Sequence, residues 1–599
     1  MNILFILIFV IAFCGLLFFK KSDNKLNIVV WLIITVIAEI CLGSLLCGFI
    51  ALIPIEITLI TSCFVYGVIA IASWGYILIK KEHQRYYIDK MDAVCSIILV
   101  GIVICFALKT YGKNINFVFW NSDPAVHFEN AMYYVRNHKL KGMWFASYYL
   151  GTMIQLLKPY IEQVSYYKVL IISDQMALAM QLLIFFVLIR DSMTNVWKRI
   201  VGMGMAILYI CGYPLLCTYQ GFFYWGICVL IIAFLIYILK IYRNNEIYRN
   251  VSVLYLMSGC FGVFMCYMLF APITYIAVLL SLIAVAKNEG KIFTASNVIL
   301  ALKIFLIPCI LGLYYCYFQW FVGSGMTATS VIAINGGIYS ELYINFLIWI
   351  PYVIYWIINR IRDRKITELE IFTIAFIVFI VVLFVLVYNQ KVSTYYYYKL
   401  YYPLWMLVFV ILPNAIFELW NKERNMLLSL SAIIIFLVCM QFGKVEAKVV
   451  EKTILTPWDH SRQFFDLYMN NMSYASTSIG LYDQRFLDSC QFVIQNIEED
   501  SRVPIIADFN TYSYAYWYDA ITGKRSVDYY AWCYSFDEVK SHIEAEECDY
   551  FIMIINSSIY QDNIDYWNQY PVVTNNGWGI IYKNSKLLEE TSYEKSTIN

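Results

Sequence analysis

Charge is what this chain has least of. Only 14% of its 599 residues are Asp, Glu, Lys or Arg, against about 25% in a soluble domain. The formal net charge is +1, so nothing suggests a nucleic-acid partner. Glycine-rich phosphate cradles are missing as well: there is no P-loop and no G-x-G-x-x-G after a strand pattern. The 17 Cys lie mostly inside apolar runs, where Cys behaves as a small hydrophobe. Only Cys490, Cys533 and Cys548 fall in a polar region, without C-x-x-C or metal-ligand spacing, so neither a disulfide framework nor a zinc site is expected. The first apolar run, Asn2 to Phe19, has no basic n-region and no A-x-A-like exit, and reads as a retained helix. No internal repeat is visible, which withholds support from an inverted-repeat transporter.

What is present is hydrophobic sequence, 61% of the chain, with 18% aromatic residues. Apolar stretches of about 17 to 25 residues recur, each long enough to cross a hydrocarbon core of about 30 Å. Fourteen spans are predicted, at roughly 3–19, 27–49, 54–79, 93–108, 166–189, 200–219, 225–240, 252–268, 270–286, 298–319, 341–358, 371–388, 400–418 and 425–442. Lys- and Arg-rich loops such as KKEHQRYYIDK (80–90), KIYRNNEIYRN (240–250) and NRIRDRK (359–365) fall in every second connection, and basic loops stay cytoplasmic. The loops 109–165, 220–224, 320–340 and 389–399, and everything after about 443, are therefore expected outside.

The chain divides in this reading into N-terminal membrane helices (1–92), a membrane core (93–442) with its first long external loop at 109–165, and a polar tail (443–599) that opens on Trp458-Asp459-His460. In the tail, RVPIIAD (502–508) and DYFIMII (549–555) read as short strands, SYAYWYDAI (513–521) as a helix with an aromatic face, and VVTNNGWGIIYKN (572–584) as a hairpin around Asn-Asn-Gly. The fold class expected is a polytopic α-helical membrane protein with an external C-terminal α/β domain.

One polar cluster interrupts the grease at the start of the long loop, FWNSDPAVHFENAMYY (119–134). Ser122-Asp123-Pro124 is a helix start, with Asp123 as N-cap and Pro124 in the first helical position. Asp123 and His127, four apart, then share one side of the first turn. Phe128, Met132 and Val135 form an apolar stripe, expected to dock onto the membrane helices. Capping alone accounts for Asp123; a carboxylate at the membrane surface can also accept a proton from an attacking sugar hydroxyl, with a neighbouring His to orient it.

Many spans, an acidic residue in a long external loop, an amphipathic segment after it and an external C-terminal domain together resemble the GT-C superfamily of integral membrane glycosyltransferases. The D-x-x-x-H arrangement with following aromatics resembles bacterial members that use polyprenyl-phosphate-linked sugars, and FASYYLGTMIQLL (145–157) resembles the membrane-lying end of their first loop. The resemblance implies a catalytic role for Asp123, assisted by His127, and an inverting displacement from a lipid-phosphate donor. It implies that donor and a glycan, lipid or protein acceptor as partners, besides membrane lipids. Three spans precede the loop here, and the acidic pair of that loop is represented only by Asp123 and Glu129. A divalent cation is left open.

A departing lipid phosphate calls for a cation at the external face. NQKVSTYYYYKLYYPLW (389–405) surrounds Lys399 with six Tyr in eight residues, Tyr398 among them, and suits donor binding as well as an aromatic belt. Arg136 is a second cation and Glu129 a second carboxylate. Asp174 interrupts a span near its external end, either lining an acceptor pocket or bonding between helices. The loop GSGMTATSVIAINGGIYS (323–340) reads as a substrate flap or a linker. The Lys, Ile, Asn and Tyr bias suits a low-GC bacterial genome and hence a bacterial cell membrane. Rival readings are a lipid-linked-sugar transporter, a polysaccharide polymerase, and a non-catalytic assembly or sensor protein acting through its tail.

Overall fold

A computed structural model of the protein describes residues 1–119, 122–141, 144–290, 294–322, 344–442, 471, 482–524, 535–545 and 547–585. Trp458-Asp459-His460, the loop 323–340 and Cys533 lie outside the described residues. Two compact units emerge. One comprises Met1–Lys109, Met143–Ala146 and Asp174–Thr477; the other comprises Thr110–Gly142, Ser147–Ser173 and Ser478–Asn599.

The first unit is a helical membrane body. In chain order its helices are α1 (Asn2–Phe18), α2 (Ile28–Ile50), α3 (Leu59–Lys80) and α4 (Lys90–Tyr111). The loop helices α5 (Asp123–Asn137) and α6 (Trp144–Leu157) follow, then α7 (Tyr167–Ile189), α8 (Val196–Cys211), α9 (Tyr213–Tyr219), α10 (Phe223–Arg243), α11 (Arg249–Cys266), α12 (Ala271–Asn288) and α13 (Ala295–Cys316). After the undescribed loop come α14 (Ile350–Arg362), α15 (Glu368–Tyr388), α16 (Thr394–Lys399), α17 (Tyr401–Lys422) and α18 (Arg424–Phe442). A short parallel pair, β1 (Leu26–Asn27) with β2 (Tyr86–Tyr87), ties α2 to the start of α4.

Among the described residues 11 helices are long and apolar enough to cross a membrane, rather than the fourteen expected from hydropathy. The differences are the predicted spans 3–19, 341–358 and 425–442. In the second of these the helix is interrupted after Ile344–Leu347, and α14 has 13 residues, about 20 Å at 1.5 Å per residue, short of a hydrocarbon core. The helix α10 is apolar nearly all round, with Val229, Ile232, Phe234, Leu235 and Ile238 at 1% exposure or less, the mark of a helix surrounded by others. On α4, by contrast, Ile97 is 72% and Leu108 52% exposed, as a lipid-facing helix requires. The chain is thus a multi-pass α-helical membrane protein carrying a C-terminal α/β domain.

The second unit joins the long loop to that domain. Its four-stranded sheet has the order β3 (Ile505–Ile506), β4 (Tyr550–Ile554), β6 (Gly579–Lys583), β5 (Val572–Asn575). The β3–β4 pair is parallel, Ile505 opposite Ile552, and β4–β6 antiparallel, Met553 opposite Ile580. The helices α19 (Gln484–Asn496), α20 (Tyr512–Thr522) and α21 (Phe536–Glu544) belong to it; α20, the strands β3 and β4 and the β5–β6 hairpin lie where the residue pattern predicts them, while α19 and α21 add helices it did not single out. The cross-strand pair Phe551–Tyr582 stacks at 5.2 Å over a core with Val539, Ile543 and Trp567, since facing aromatic pairs stabilise an antiparallel ladder.

Candidate active site

In the second unit α5 begins at Asp123, with Ser122 as N-cap and Pro124 in the first turn. The helix therefore starts one residue before the expected position. Asp123 stands in the first turn, where the positive end of the helix dipole favours a carboxylate. His127 follows one turn later on the same side, and both are partly buried. The second histidine of the loop, His138, closes the helix in a left-handed conformation (φ 54°), a capping position.

The apolar stripe of α5 packs within its own unit. Phe128, Met132 and Val135 are buried, and the helix packed against α5 is α20 of the C-terminal domain. Phe128 meets Trp517 at 6.0 Å, and Phe119, four residues before Asp123, lies on Trp517 at 4.0 Å. Phe117 adds edge contacts to Trp517 and Tyr482 at 4.9 and 5.0 Å. Trp517 is wholly buried in this aromatic cluster. An aromatic stripe shows that a helix face is covered, without showing by what.

Polar contacts lock the same junction. The last carbonyls of a helix lack partners within it. Those of α20 are met by side chains of the loop: Arg136 Nη2 donates to the Ala520 carbonyl at 2.6 Å, and Gln163 Nε2 to that of Ile521 at 2.7 Å. Arg136 Nη1 also pairs with Glu129 Oε2 at 3.2 Å. Gly523 ends α20 with φ 82°, and an added Cβ there would meet the Arg136 guanidinium at 3.0 Å. Glu129 and Arg136, singled out as substrate-binding candidates, are thereby two parts of one clamp. Their charges are engaged with each other and with α20.

The first unit holds the other candidates. Lys399, 2% exposed, places its ammonium 4.6 Å from the Trp225 ring centre and 4.8 Å from that of Tyr267. Aromatic faces attract a cation there more strongly than in water. Asp174 is 7% exposed, on the part of α7 that belongs to the same unit. Asp174 and Lys399, 225 positions apart in sequence, are thus two buried ionisable side chains of the same unit. Tyr402 is buried in that unit too, its hydroxyl donating to Gln181 Oε1 at 2.5 Å. Gly226 permits this approach, since a Cβ there would sit 2.4 Å from Gln181 Nε2. Tyr398 is also buried, 5.4 Å from Tyr397.

Gln181, Tyr402, Trp225 and Tyr267 escape sequence reasoning. Gln181 carried a signal, an amide inside an apolar run, whereas the aromatics look like ordinary interface anchors. Among the described residues no three His, Cys, Asp or Glu side chains converge as a metal-ligand set. With Glu129 tied to Arg136, the residues around Asp123 do not make a good divalent-cation site.

No family model matches the chain, and no curated protein does. Among solved structures the chain is similar to ArnT from Cupriavidus metallidurans in the apo state, with TM-score 0.49 and 9% identity, covering 82% of this chain and 97% of that one. It is also similar to the Archaeoglobus fulgidus oligosaccharyltransferase, tethered to an acceptor peptide (TM-score 0.44, 9% identity, 83% and 74% covered) and in the apo form (TM-score 0.44, 9% identity, 82% and 74%). At such identity the chemistry of the site has to come from its own residues.

Proposed function

We propose that the protein is a membrane glycosyltransferase that moves a sugar from a polyprenyl-phosphate-linked donor to a cell-surface glycan, lipid or protein acceptor on the external face. The observation that carries this reading is the fixed position of Asp123: its helix is clamped to α20 by Arg136 and the Trp517 cluster. A base preorganised on a rigid element needs no rearrangement at the moment of reaction.

In this mechanism Asp123 takes the proton of the acceptor hydroxyl as its oxygen attacks the anomeric carbon. The bond from that carbon to the phosphate oxygen breaks, and the lipid phosphate leaves with the electron pair. His127 orients the carboxylate. Lys399 holds the phosphate and neutralises the charge that grows on it, while Asp174, Tyr398 and the Tyr402–Gln181 pair shape the surrounding polar centre. Direct displacement by one nucleophile inverts the anomeric configuration.

The test is sugar transfer by purified protein in nanodiscs against a panel of polyprenyl-phosphate sugars, with and without EDTA. Asp123→Asn is expected to lower turnover by about 10²- to 10⁴-fold, the range for losing a general base, with unchanged membrane expression. An active Asn variant removes Asp123 from the chemistry. A second reading has its own observation: an acid and a lysine buried together in the membrane body also suit a translocation path. Stable binding of a lipid-linked sugar without turnover on any donor would favour that transporter.

A further inference from the structure

At the opposite end of the membrane body from its polar centre's loops, on the face that the Lys and Arg pattern assigns to the cytoplasm, lies a cleft that the transferase reading does not use. It has a volume of about 280 Å³, just below the roughly 300 Å³ at which small-molecule sites begin. The ends of α7, α10, α14 and α15 form its rim, and Leu188, Ile236 and Val410 are apolar parts of its lining. Three cations from two helices face it, Lys240 and Arg243 on α10 and Arg360 on α14.

Cations in a last helical turn usually do no more than complement the helix dipole. Here their counter-charges are arranged unevenly. Arg243 pairs with Glu368 at 3.1 Å, the arginine side chain 28% exposed and the glutamate 7%. Arg360 pairs with Glu418 at 3.5 Å, 26% against 14% exposed. Glu370 is buried, its oxygens accepting from the Trp356 indole at 2.7 Å and from the Thr367 amide and hydroxyl at 2.7 and 2.5 Å. That bond fixes the Trp356 ring, on whose face the Arg360 guanidinium lies at 3.8 Å. Glu368 and Glu370 line the cleft as well, but they are its more buried groups, and with Glu418 they hold the arginine heads in place. Only Asp191, paired with Lys240 at 2.5 Å, has an acid side chain more exposed than its partner's, 56% against 22%. The cleft therefore presents fixed guanidinium groups above apolar residues.

We propose that this cleft binds a phosphate-bearing anion. Guanidinium forks match phosphate oxygens two at a time, and basic pockets between helix ends on the cytoplasmic side are suited to anionic lipid headgroups. The apolar lining beneath the cations suits a phospholipid, whose acyl chains would enter between helices, better than a free ion. This site is independent of the glycosyltransferase reading, and its test does not measure transfer.

The experiment uses the full-length protein purified in detergent. Retention of short-chain phosphatidylglycerol and phosphatidylcholine is read by native mass spectrometry, and inorganic pyrophosphate is titrated by calorimetry. Arg243→Gln with Glu368→Gln removes one ion pair without leaving a buried charge. Arg360→Gln leaves Glu418 with Lys422, 2.8 Å away, and serves if the double variant fails to fold. The expected result is phosphatidylglycerol bound at least tenfold more tightly than phosphatidylcholine, with that preference lost in either variant. Pyrophosphate binding that is lost in the same variants, without lipid preference, would identify a soluble phosphate as the source of the same chemistry. Equal retention of both lipids together with no pyrophosphate binding, or anion binding unchanged by the variants, would overturn the proposal.

Discussion

Two buried carboxylates, one in each unit, are stabilised in opposite ways. Asp92, at the start of α4 in the membrane body, has a side chain 2% exposed and is held by side chains: Arg190 at 2.9 Å, Arg199 at 3.0 Å and the Asn27 amide at 2.7 Å. Asp508, in the C-terminal domain, is 6% exposed and is held by the backbone and hydroxyls of nearby loops. It accepts from the amides of Asn510, Thr511 and Ser558 at 3.0, 3.0 and 2.9 Å, and from the Thr511 and Ser558 hydroxyls. Burial alone would raise the Asp508 carboxyl, but these donors outweigh it and hold it below the usual carboxylate range. Helices of the membrane body use their amides internally, so a buried acid there must recruit cations from other helices. In an α/β domain, loops offer free amides locally. Lys399 is a third solution, a cation set among aromatic faces.

The comparison can be broken most forcefully at Asp92. Asp92→Ala leaves Arg190 with Asp191 alone at 3.5 Å and Arg199 with Asp89 alone at 3.8 Å, and removing one partner of a buried pair costs up to about 3–5 kcal/mol. A large fall in thermal stability in detergent is expected, and an unchanged Tm would show that the arginines re-pair. Lys399→Met tests the aromatic cage next. Donor turnover should fall by roughly two orders of magnitude, a scale typical of losing one transition-state charge partner, while Lys399→Arg retains most of it. Equal stability with intact turnover would make the lysine structural.

Asp508 sharpens the contrast through pH. A carboxyl held low in the folded state stabilises it above the unfolded value of about 3.9, and that stability is lost as pH falls through the lower folded value. Unfolding of the C-terminal domain, followed by Trp fluorescence, should grow easier below about pH 4, and Asp508→Asn should flatten that slope and cost roughly 2–3 kcal/mol at neutral pH. The smallest effect is expected at Arg136. Arg136→Met removes one cap of α20, worth about 1–2 kcal/mol, and should leave the donor KM unchanged because both outer nitrogens are already engaged. A raised KM would return Arg136 to the donor site.

Much of this was legible in the residues. Apolar runs of spanning length, the alternation of basic loops, and the strands and aromatic helix of the tail are local patterns, and local patterns follow from period, propensity and turn chemistry. Ser122-Asp123-Pro124 announced a helix start because capping is a matter of three or four adjacent residues. Of the fourteen expected spans, eleven meet a crossing length and apolarity among the described residues, and 3–19, 341–358 and 425–442 do not.

What the sequence by itself determined is therefore the class of molecule, a multi-pass helical membrane protein with an α/β tail, together with where its unusual polar residues stand along the chain. Which of those residues meet was decided only by the tertiary structure. Phe128 looks equally suited to any apolar partner, and only the fold assigns it Trp517. Arg136 and Glu129 read as two separate binding candidates until the structure pairs them with each other and Arg136 with the Ala520 carbonyl. Asp174 and Lys399 read as separate signals until the fold buries both in one unit. Burial and periodicity act along one element, whereas pairing depends on distances between elements far apart in the chain, and composition contains no such distances.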